Sequence, residues 1–208
     1  MKQKWLFWSG SVATIIYIMA VLIGAAIRPG YSHLANFISE LMEAGAPNTA
    51  LLNPLFLIYN VLVGVFAYGM FVFTRDHSQP ASLKRLGATA AWVLVVEAIF
   101  GFVTVFFPQD IRGTEMTSTG TMHIILAGLS SFATMIPMLL LGLWFNKYGM
   151  KGLSLYTFIS LAVVFISGGI TAALTPSNFA YVGLLERITI GGFLQWMLVL
   201  GILLPRKD

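Results

Sequence analysis

The sequence predicts an all-α membrane protein, a bundle of six transmembrane helices that forms one domain over residues 1–208. Three observations indicate this fold class. The chain is 58% hydrophobic, it is only 10% charged, and its apolar residues are gathered into six long runs. Each run approaches the roughly 20 residues that span a bilayer core about 30 Å thick. Apolar runs of this length exceed what a soluble core helix needs, so the bundle is expected to cross a membrane.

The six predicted helices follow the apolar runs. They cover residues 5–27, 54–74, 86–107, 123–145, 153–174 and 188–204. The first run is longer than the roughly 7 to 15 apolar residues of a secretory signal, and it is therefore interpreted as a retained helix. The chain has no cysteine, which excludes disulfides and thiolate metal sites.

The connection after the first helix, at 28–48, is predicted to contain a short amphipathic helix. Ser32 suits its N-cap, and Gly45 with Pro47 suits its end. Its polar stripe would consist of His33, Asn36, Glu40 and Glu43. Its apolar face would consist of Leu34, Phe37, Ile38 and Leu41. Such a helix would lie along the outer membrane surface with the polar stripe turned toward water or a cleft.

The remaining connections differ in character between the two sides of the bundle. Those after the second and fourth helices are short and plain, as expected for membrane anchors. Those after the third and fifth helices are longer and richer in polar residues. A binding or catalytic site is therefore expected on the side that these two connections share with residues 28–48.

The distribution of positive charge predicts the orientation of the bundle. Lysine and arginine concentrate in cytoplasmic connections of membrane proteins. Nine of the twelve cations fall on one side if both termini are cytoplasmic: Lys2, Lys4, Arg75, Lys84, Arg85, Lys147, Lys151, Arg206 and Lys207. Arg28, Arg112 and Arg187 would lie outside. The basic balance thus follows from topology, and no nucleic-acid partner is predicted.

Polar residues suited to chemistry gather near the predicted outer side. The candidate catalytic residues are His123, His33, Ser130 and Asp110. The candidate ligand-binding residues are Asn36, Ser39, Glu40, Glu186, Arg187, Glu97 and Gln195. There is no HExxH motif and no histidine pair at i and i+4, so neither a metal nor another cofactor is predicted. Acid/base or nucleophilic catalysis by His and Ser stays open beside a structural role for each.

Glu97 is unusual because it lies near the middle of the third helix. An ionised carboxylate is costly there and usually faces the interior of the bundle. Gln195, at a similar depth in the sixth helix, is its predicted partner. Two roles remain open, a proton relay or ligand contact and an interhelical hydrogen bond worth about 0.6 to 2 kcal/mol.

Several short motifs carry a resemblance to a known family. They are NFISELMEAGAPN after the first helix, FFPQD after the third, HIILAGLSSF opening the fourth, and LLERI followed by QW in the sixth. In this order the chain resembles a prokaryotic membrane family, domain-of-unknown-function family nine-nine-eight, over about residues 8 to 204. An IS-acid motif and an H-x3-A/G helix are more distantly similar to the six-helix Frag, DRAM and Sfk group.

The resemblance implies family positions but no reaction. These positions are Ser39, Glu40, Asp110, His123, Glu186 and Arg187. Members of the Frag, DRAM and Sfk group are linked to lipid remodelling or lipid distribution, so the distant similarity implies a role in lipid handling.

Three functions remain open at this point. The first is an outward polar site that binds a lipid or another membrane-borne amphiphile. The second is an outer-leaflet lipid hydrolase or acyl transferase that uses His, Ser and carboxylate groups, and the third is a small transporter. The expected location is the inner (plasma) membrane, crossed several times. The expected partners are a membrane lipid or amphiphile, and a second copy or another membrane protein.

Overall fold

The computed structural model describes residues 4–75 and 78–206. Within these ranges six helices are long and apolar enough to cross a membrane, and no strand is present, which confirms the predicted fold class. The helices are α1 Lys4–Ile27, α2 Thr49–Thr74, α3 Ala81–Thr104, α4 Ser118–Lys147, α5 Lys151–Leu174 and α6 Val182–Leu203. Short 3₁₀ helices cover Ser39–Met42, Thr175–Ser177 and Leu204–Arg206.

Four helices begin five or six residues, about one and a half turns, before the apolar runs that predict them. Their first residues are Thr49, Ala81, Ser118 and Val182. The first residues of α3 and α4, ASLKR and STGTM, are mostly polar, so hydropathy alone does not place the starts of these two helices. The start of α4 shows the local cause, because the Thr117 hydroxyl accepts the Gly120 backbone N–H at 3.1 Å and caps the helix.

The six helices form a closed ring. Each helix packs against its neighbours in the chain, and α1 packs against α6. The half of the ring that contains the ends of α2, α4 and α6 is filled by large side chains. Trp144, Trp196, Phe66 and Phe145 are fully buried there.

The other end of the ring is closed by polar connections and is called here the polar end. It consists of residues 28–48, 105–117 and 175–181. The ring has an even number of spans, so the start of α1 and the end of α6 lie on the opposite side together. Two cations of the predicted cytoplasmic set, Lys2 and Lys207, lie outside the described residues, and the orientation remains a prediction.

Residues 28–48, called here the loop segment, do not form the predicted amphipathic α-helix. They form successive turns and one 3₁₀ helix of four residues, Ser39–Met42. The Glu40 carboxylate accepts the Phe37 backbone N–H at 3.2 Å, and the Arg28 side chain donates to the Glu40 carbonyl. Side chains therefore take bonds that a continuing helix would use.

The predicted orientation of the loop segment is also reversed in part. Glu40 is only 4% exposed and Glu43 is buried as well, whereas Leu34 is 48% exposed. The acidic residues point into the polar end because cationic side chains meet them there. Ile38 and Leu41, from the predicted apolar face, are buried and packed with residues of α1 and α2.

Candidate functional site

Glu40 is the centre of a hydrogen-bonded cluster at the polar end. Its carboxylate forms an ion pair with Arg112 and accepts the side-chain amide of Asn36. Arg112 also donates to the Ala35 carbonyl at 3.2 Å and lies over the Phe37 ring. The 105–117 connection is thereby attached to the loop segment. These groups satisfy one another, which suits a structural role for Glu40 in this conformation.

A second ion pair fixes the beginning of the loop segment to its end. Arg28, directly after α1, pairs with the Glu43 carboxylate and donates to the Glu40 carbonyl. The Asn48 side-chain amide donates to the Gly24 carbonyl at 3.2 Å. Both ends of the loop segment are therefore held close to the end of α1.

The first turns of α6 hold the middle of the loop segment. Glu186 accepts the Ile38 backbone N–H at 2.6 Å. Arg187 donates to the Asn36 carbonyl at 2.8 Å and to the Tyr31 hydroxyl. It also donates to the Gly183 carbonyl at 2.9 Å, within its own helix. Glu186 and Arg187 thus anchor the loop segment to α6: Glu186 accepts a hydrogen bond from it, and Arg187 donates hydrogen bonds to it.

Tyr31 and His33 lie on the loop segment beside Arg187, and their ring centroids are 5.7 Å apart. Burial raises the pKa of Tyr31 to about 12, although the positive charge of Arg187 opposes this shift. Desolvation lowers the pKa of His33, and the charge of Arg187 lowers it further. Both side chains are therefore mainly uncharged at neutral pH.

Replacing Arg187 with glutamine is expected to raise the pKa of His33 toward its ordinary value of about 6.5, because a positive neighbour is removed. Arg187→Lys keeps the charge and should keep the pKa low. Histidine NMR titration of the two variants measures the difference. Equal pKa values for His33 in both would show that Arg187 has no electrostatic effect on it.

Asp110 and His123 hold the 105–117 connection in place. Asp110 accepts the backbone N–H and the hydroxyl of Thr117, both at 2.8 Å. His123 is buried, and its Nδ1 lies 2.7 Å from the Phe107 carbonyl, as a donor to that oxygen. Ser39 donates to the Gln109 side chain, which joins this connection to the loop segment. Asp110 and His123, both of them predicted catalytic residues, therefore have structural partners.

Ser130, another catalytic candidate, does not hydrogen-bond to Asp110 or His123. The Ser130 hydroxyl donates to Glu97 at 3.5 Å, deeper in the bundle. Across residues 4–75 and 78–206, no hydrogen bond connects a histidine to a serine hydroxyl. Over the same ranges, no group of three or more His, Asp or Glu side chains is placed to hold a metal ion.

Glu97 and Gln195 do not form the predicted pair. The Gln195 amide donates to the Ser160 hydroxyl at 2.8 Å and accepts from Tyr156, so its partners are on α5. Glu97 is 5% exposed, and its Oε2 has no hydrogen-bond partner among the described residues. The predicted pair does not form because Gln195 faces α5. A similar depth in the membrane does not show which neighbouring helix a side chain faces.

A crevice of about 380 Å³ opens at the polar end between the loop segment, the start of α2 and the end of α3. It is lined by Met42, Glu43, Ala44, Gly45, Thr49, Asn53, Val105, Phe106 and Pro108. The Asn53 Oδ1 is buried and has no hydrogen-bond partner within the described part of the chain. This crevice therefore combines apolar walls with carboxylate, hydroxyl and amide groups.

A groove of about 220 Å³ lies between α2 and α3 on the side of the bundle. It is lined by Asn60, Val61, Gly64, Val95, Ala98, Ile99 and Phe102. The groove exists because small residues face each other. A Cβ placed at Gly64 would meet only the Ala98 Cβ, at 3.9 Å.

The sequence patterns do not single out the groups that shape this region. Arg28 and Arg112 enter the sequence argument only as outer charges, and Asn53 falls just outside the predicted second helix. One signal was present, because an arginine in a polar connection that also carries carboxylates often forms an ion pair. The facing of Gly64 and Ala98 depends on how α2 and α3 pack, which spacing in a single sequence does not give.

A family model described as Protein of unknown function (DUF998) matches residues 11–203. No curated protein and no solved structure shows a significant match.

Proposed function

The chain belongs to the family described as Protein of unknown function (DUF998), and we propose that it binds a membrane lipid on the side formed by α2 and α3. One observation carries this proposal: the polar crevice and the apolar groove lie in line along the same two helices. A lipid has the same order of parts. Its head group would occupy the crevice, and one acyl chain would follow the groove.

The spacing of the two cavities suits a single amphiphile. On α2, Asn53 in the crevice and Asn60 in the groove are seven residues apart, which is about 10 Å along a helix. Phe102 of the groove lies on α3 and Phe106 of the crevice directly after its end, and their ring centroids are 5.7 Å apart. The aromatic pair therefore lies where the polar and apolar parts of the ligand would meet.

The groove is open to surrounding lipid along its length. Val61 and Ile99, which line it on α2 and α3, are both exposed. A chain could enter sideways from the bilayer without the bundle opening. Burial of apolar area contributes less in lipid than in water, so close packing and the polar crevice would supply the selectivity.

Binding is favoured over catalysis by the partners of the candidate catalytic residues. His123 is engaged with a backbone carbonyl, Asp110 with Thr117, and Ser130 with Glu97. General acid/base catalysis needs a base within reach of the proton that it removes. The filled half of the ring disfavours transport, because fully buried Trp144 and Trp196 lie in the interior.

The positive-inside rule supports an orientation with the polar end outward, in a plasma membrane. In that orientation the crevice would lie at the level of the outer lipid head groups. The protein would take its ligand from the outer leaflet and would serve in lipid handling or its regulation.

Gly64→Leu is expected to lower the amount of lipid retained by the purified protein at least fivefold, because the leucine side chain would fill the groove. Native mass spectrometry of protein released from mild detergent measures the retained adduct. Gly169→Leu is the matched control, since a Cβ at Gly169 on α5 meets no atom within 4 Å. Leucine also favours a helix over glycine at both positions.

Equal retention by the parent and both variants would contradict the proposed groove. Loss of lipid in Gly64→Leu alone would support it. Loss in both variants would place the lipid elsewhere on the bundle and would also contradict the proposal.

A further inference from the structure

We propose that the head group in the crevice is one that donates hydrogen bonds, through a primary ammonium or a hydroxyl. This inference rests on the proposed function, since it concerns the same lipid. It follows from the polar atoms that the crevice presents and from the donors that are already engaged nearby.

The acceptor that most needs a donor is the Asn53 Oδ1. It is buried and has no partner in the described parts of the chain. A buried acceptor without a donor destabilises the folded protein. Because Asn53 lines the crevice, rotation of its side-chain amide would turn this oxygen toward a ligand that fills the crevice, and the ligand could then supply the missing donor.

Asn60, two turns deeper, does not make the same demand on a ligand. Its Nδ2 donates to the Phe56 carbonyl at 2.8 Å, which fixes the orientation of the amide. Its Oδ1 faces Gly101, where an added Cβ would collide with it. That oxygen is also buried without a partner, but it is turned toward the α3 backbone, so the unpaired acceptor among the described residues that line the crevice is Asn53.

The neighbouring charges also favour a donor over a bare anion. Glu43 lines the crevice and brings a carboxylate to it. Its cationic partner Arg28 does not line the crevice, and both terminal nitrogens of that guanidinium are engaged, one by Glu43 and the other by the Glu40 carbonyl. A primary ammonium or a hydroxyl would find acceptors on Glu43 and Asn53 together.

Two common phospholipids distinguish selective binding of a donor head group from nonspecific lipid retention. Phosphatidylethanolamine has three N–H donors on its head group, whereas phosphatidylcholine has a methylated ammonium with none. With matched acyl chains, an equimolar mixture is offered to the full-length protein, and native mass spectrometry measures what is retained. We expect phosphatidylethanolamine to exceed phosphatidylcholine about tenfold, equivalent to about 1.4 kcal/mol.

Phosphatidylglycerol distinguishes the two sources of the donor. Retention of it at the level of phosphatidylethanolamine would show that a hydroxyl is sufficient. Retention at the level of phosphatidylcholine would show that the ammonium is required. Both results support a donor head group, and they differ only in its identity.

Asn53→Leu is expected to reduce the preference for phosphatidylethanolamine to within about twofold while lipid is still retained through the groove. Asn146→Leu, an asparagine replacement near the end of α4 and on the side of the bundle opposite the crevice, should leave the preference unchanged. If Asn53→Leu does not fold, the monomethyl and dimethyl forms of phosphatidylethanolamine provide the same test, since each methyl group removes one donor.

Equal retention of phosphatidylethanolamine and phosphatidylcholine by the parent would overturn the head-group inference and leave the lipid site intact. A preference that survives in Asn53→Leu would remove Asn53 as its cause. Failure of the proposed function looks different, because the parent would then retain no lipid, or Gly64→Leu would retain as much as the parent.

Discussion

Replacing Arg187 with alanine is expected to detach the loop segment from α6 and to lower the free energy of unfolding by about 3 kcal/mol. The guanidinium makes three hydrogen bonds, to the Asn36 and Gly183 carbonyls and to the Tyr31 hydroxyl. Hydrogen bonds that involve a charged group contribute about 1.5 to 3 kcal/mol each, and neighbouring ones are not additive. The truncation would also leave the Asn36 carbonyl and the Tyr31 hydroxyl without this donor.

Unfolding in a denaturing detergent, followed by tryptophan fluorescence, measures the change for Arg187→Ala. Limited proteolysis within residues 28–48 reports the detachment. Arg85→Ala is the control, because Arg85 is an exposed arginine near the start of α3 and does not contact the loop segment. It should change the stability by about 0.5 kcal/mol or less. A stability for Arg187→Ala within about 0.5 kcal/mol of the parent would show that Arg187 does not anchor the loop segment.

Gly183→Leu is expected to have an effect of similar size by a steric route. A Cβ at Gly183 would collide with the Asn36 carbonyl oxygen and lie 2.9 Å from the Asn36 backbone C and N. Backbone atoms cannot move aside as a flexible side chain can, so the loop segment would have to leave α6. Overpacking of this kind costs about 1 to 3 kcal/mol.

The matched control for Gly183→Leu is Gly191→Leu on the same helix, where a Cβ meets no atom within 4 Å. Thermal unfolding in mild detergent should show a clear decrease for the first variant and none for the second. Equal melting temperatures would mean that the close approach of α6 to Asn36 is not required for stability.

Both changes also bear on lipid binding. The loop segment supplies Met42, Glu43, Ala44 and Gly45 to the crevice. If it leaves α6, that wall of the crevice loses its support. Arg187→Ala and Gly183→Leu should therefore weaken selection among head groups even though neither residue lines the crevice.

The spans were predictable because each depends on a local property of the chain. About 20 apolar residues in sequence can satisfy their backbone in a bilayer only as a helix or in a closed barrel. The absence of strand-like alternation favours the helix. The polar first turn of α4, which begins at Ser118, has no such signature, which explains why the start of this helix was placed too late.

The loop segment was harder to predict because its conformation depends on distant partners. Helical spacing over 32–43 indicated an amphipathic helix, but Arg112 reaches Glu40 across 72 residues of sequence. Arg187 likewise reaches the Asn36 carbonyl from the sixth helix. Such contacts override a weak local preference and turn the acidic residues inward.

The proposed lipid site was invisible to sequence reasoning for a related reason. Gly64 and Ala98 are ordinary small residues in apolar helices, and only the packing of α2 on α3 makes them face each other. Asn53 has the appearance of a helix-start residue. Its importance follows from the burial of its side-chain oxygen, which depends on the surrounding fold.

Photo-cross-linking with a phosphatidylethanolamine that carries a diazirine in its acyl chain tests directly whether a lipid occupies the groove between α2 and α3. Peptide mapping by mass spectrometry locates the labelled residues. We expect labelling concentrated at 60–64 and 95–102. Phe132 and Phe165, 64% and 66% exposed on α4 and α5, report contact with bulk lipid. Labelling of these two as strong as that of the groove would contradict the proposed lipid site.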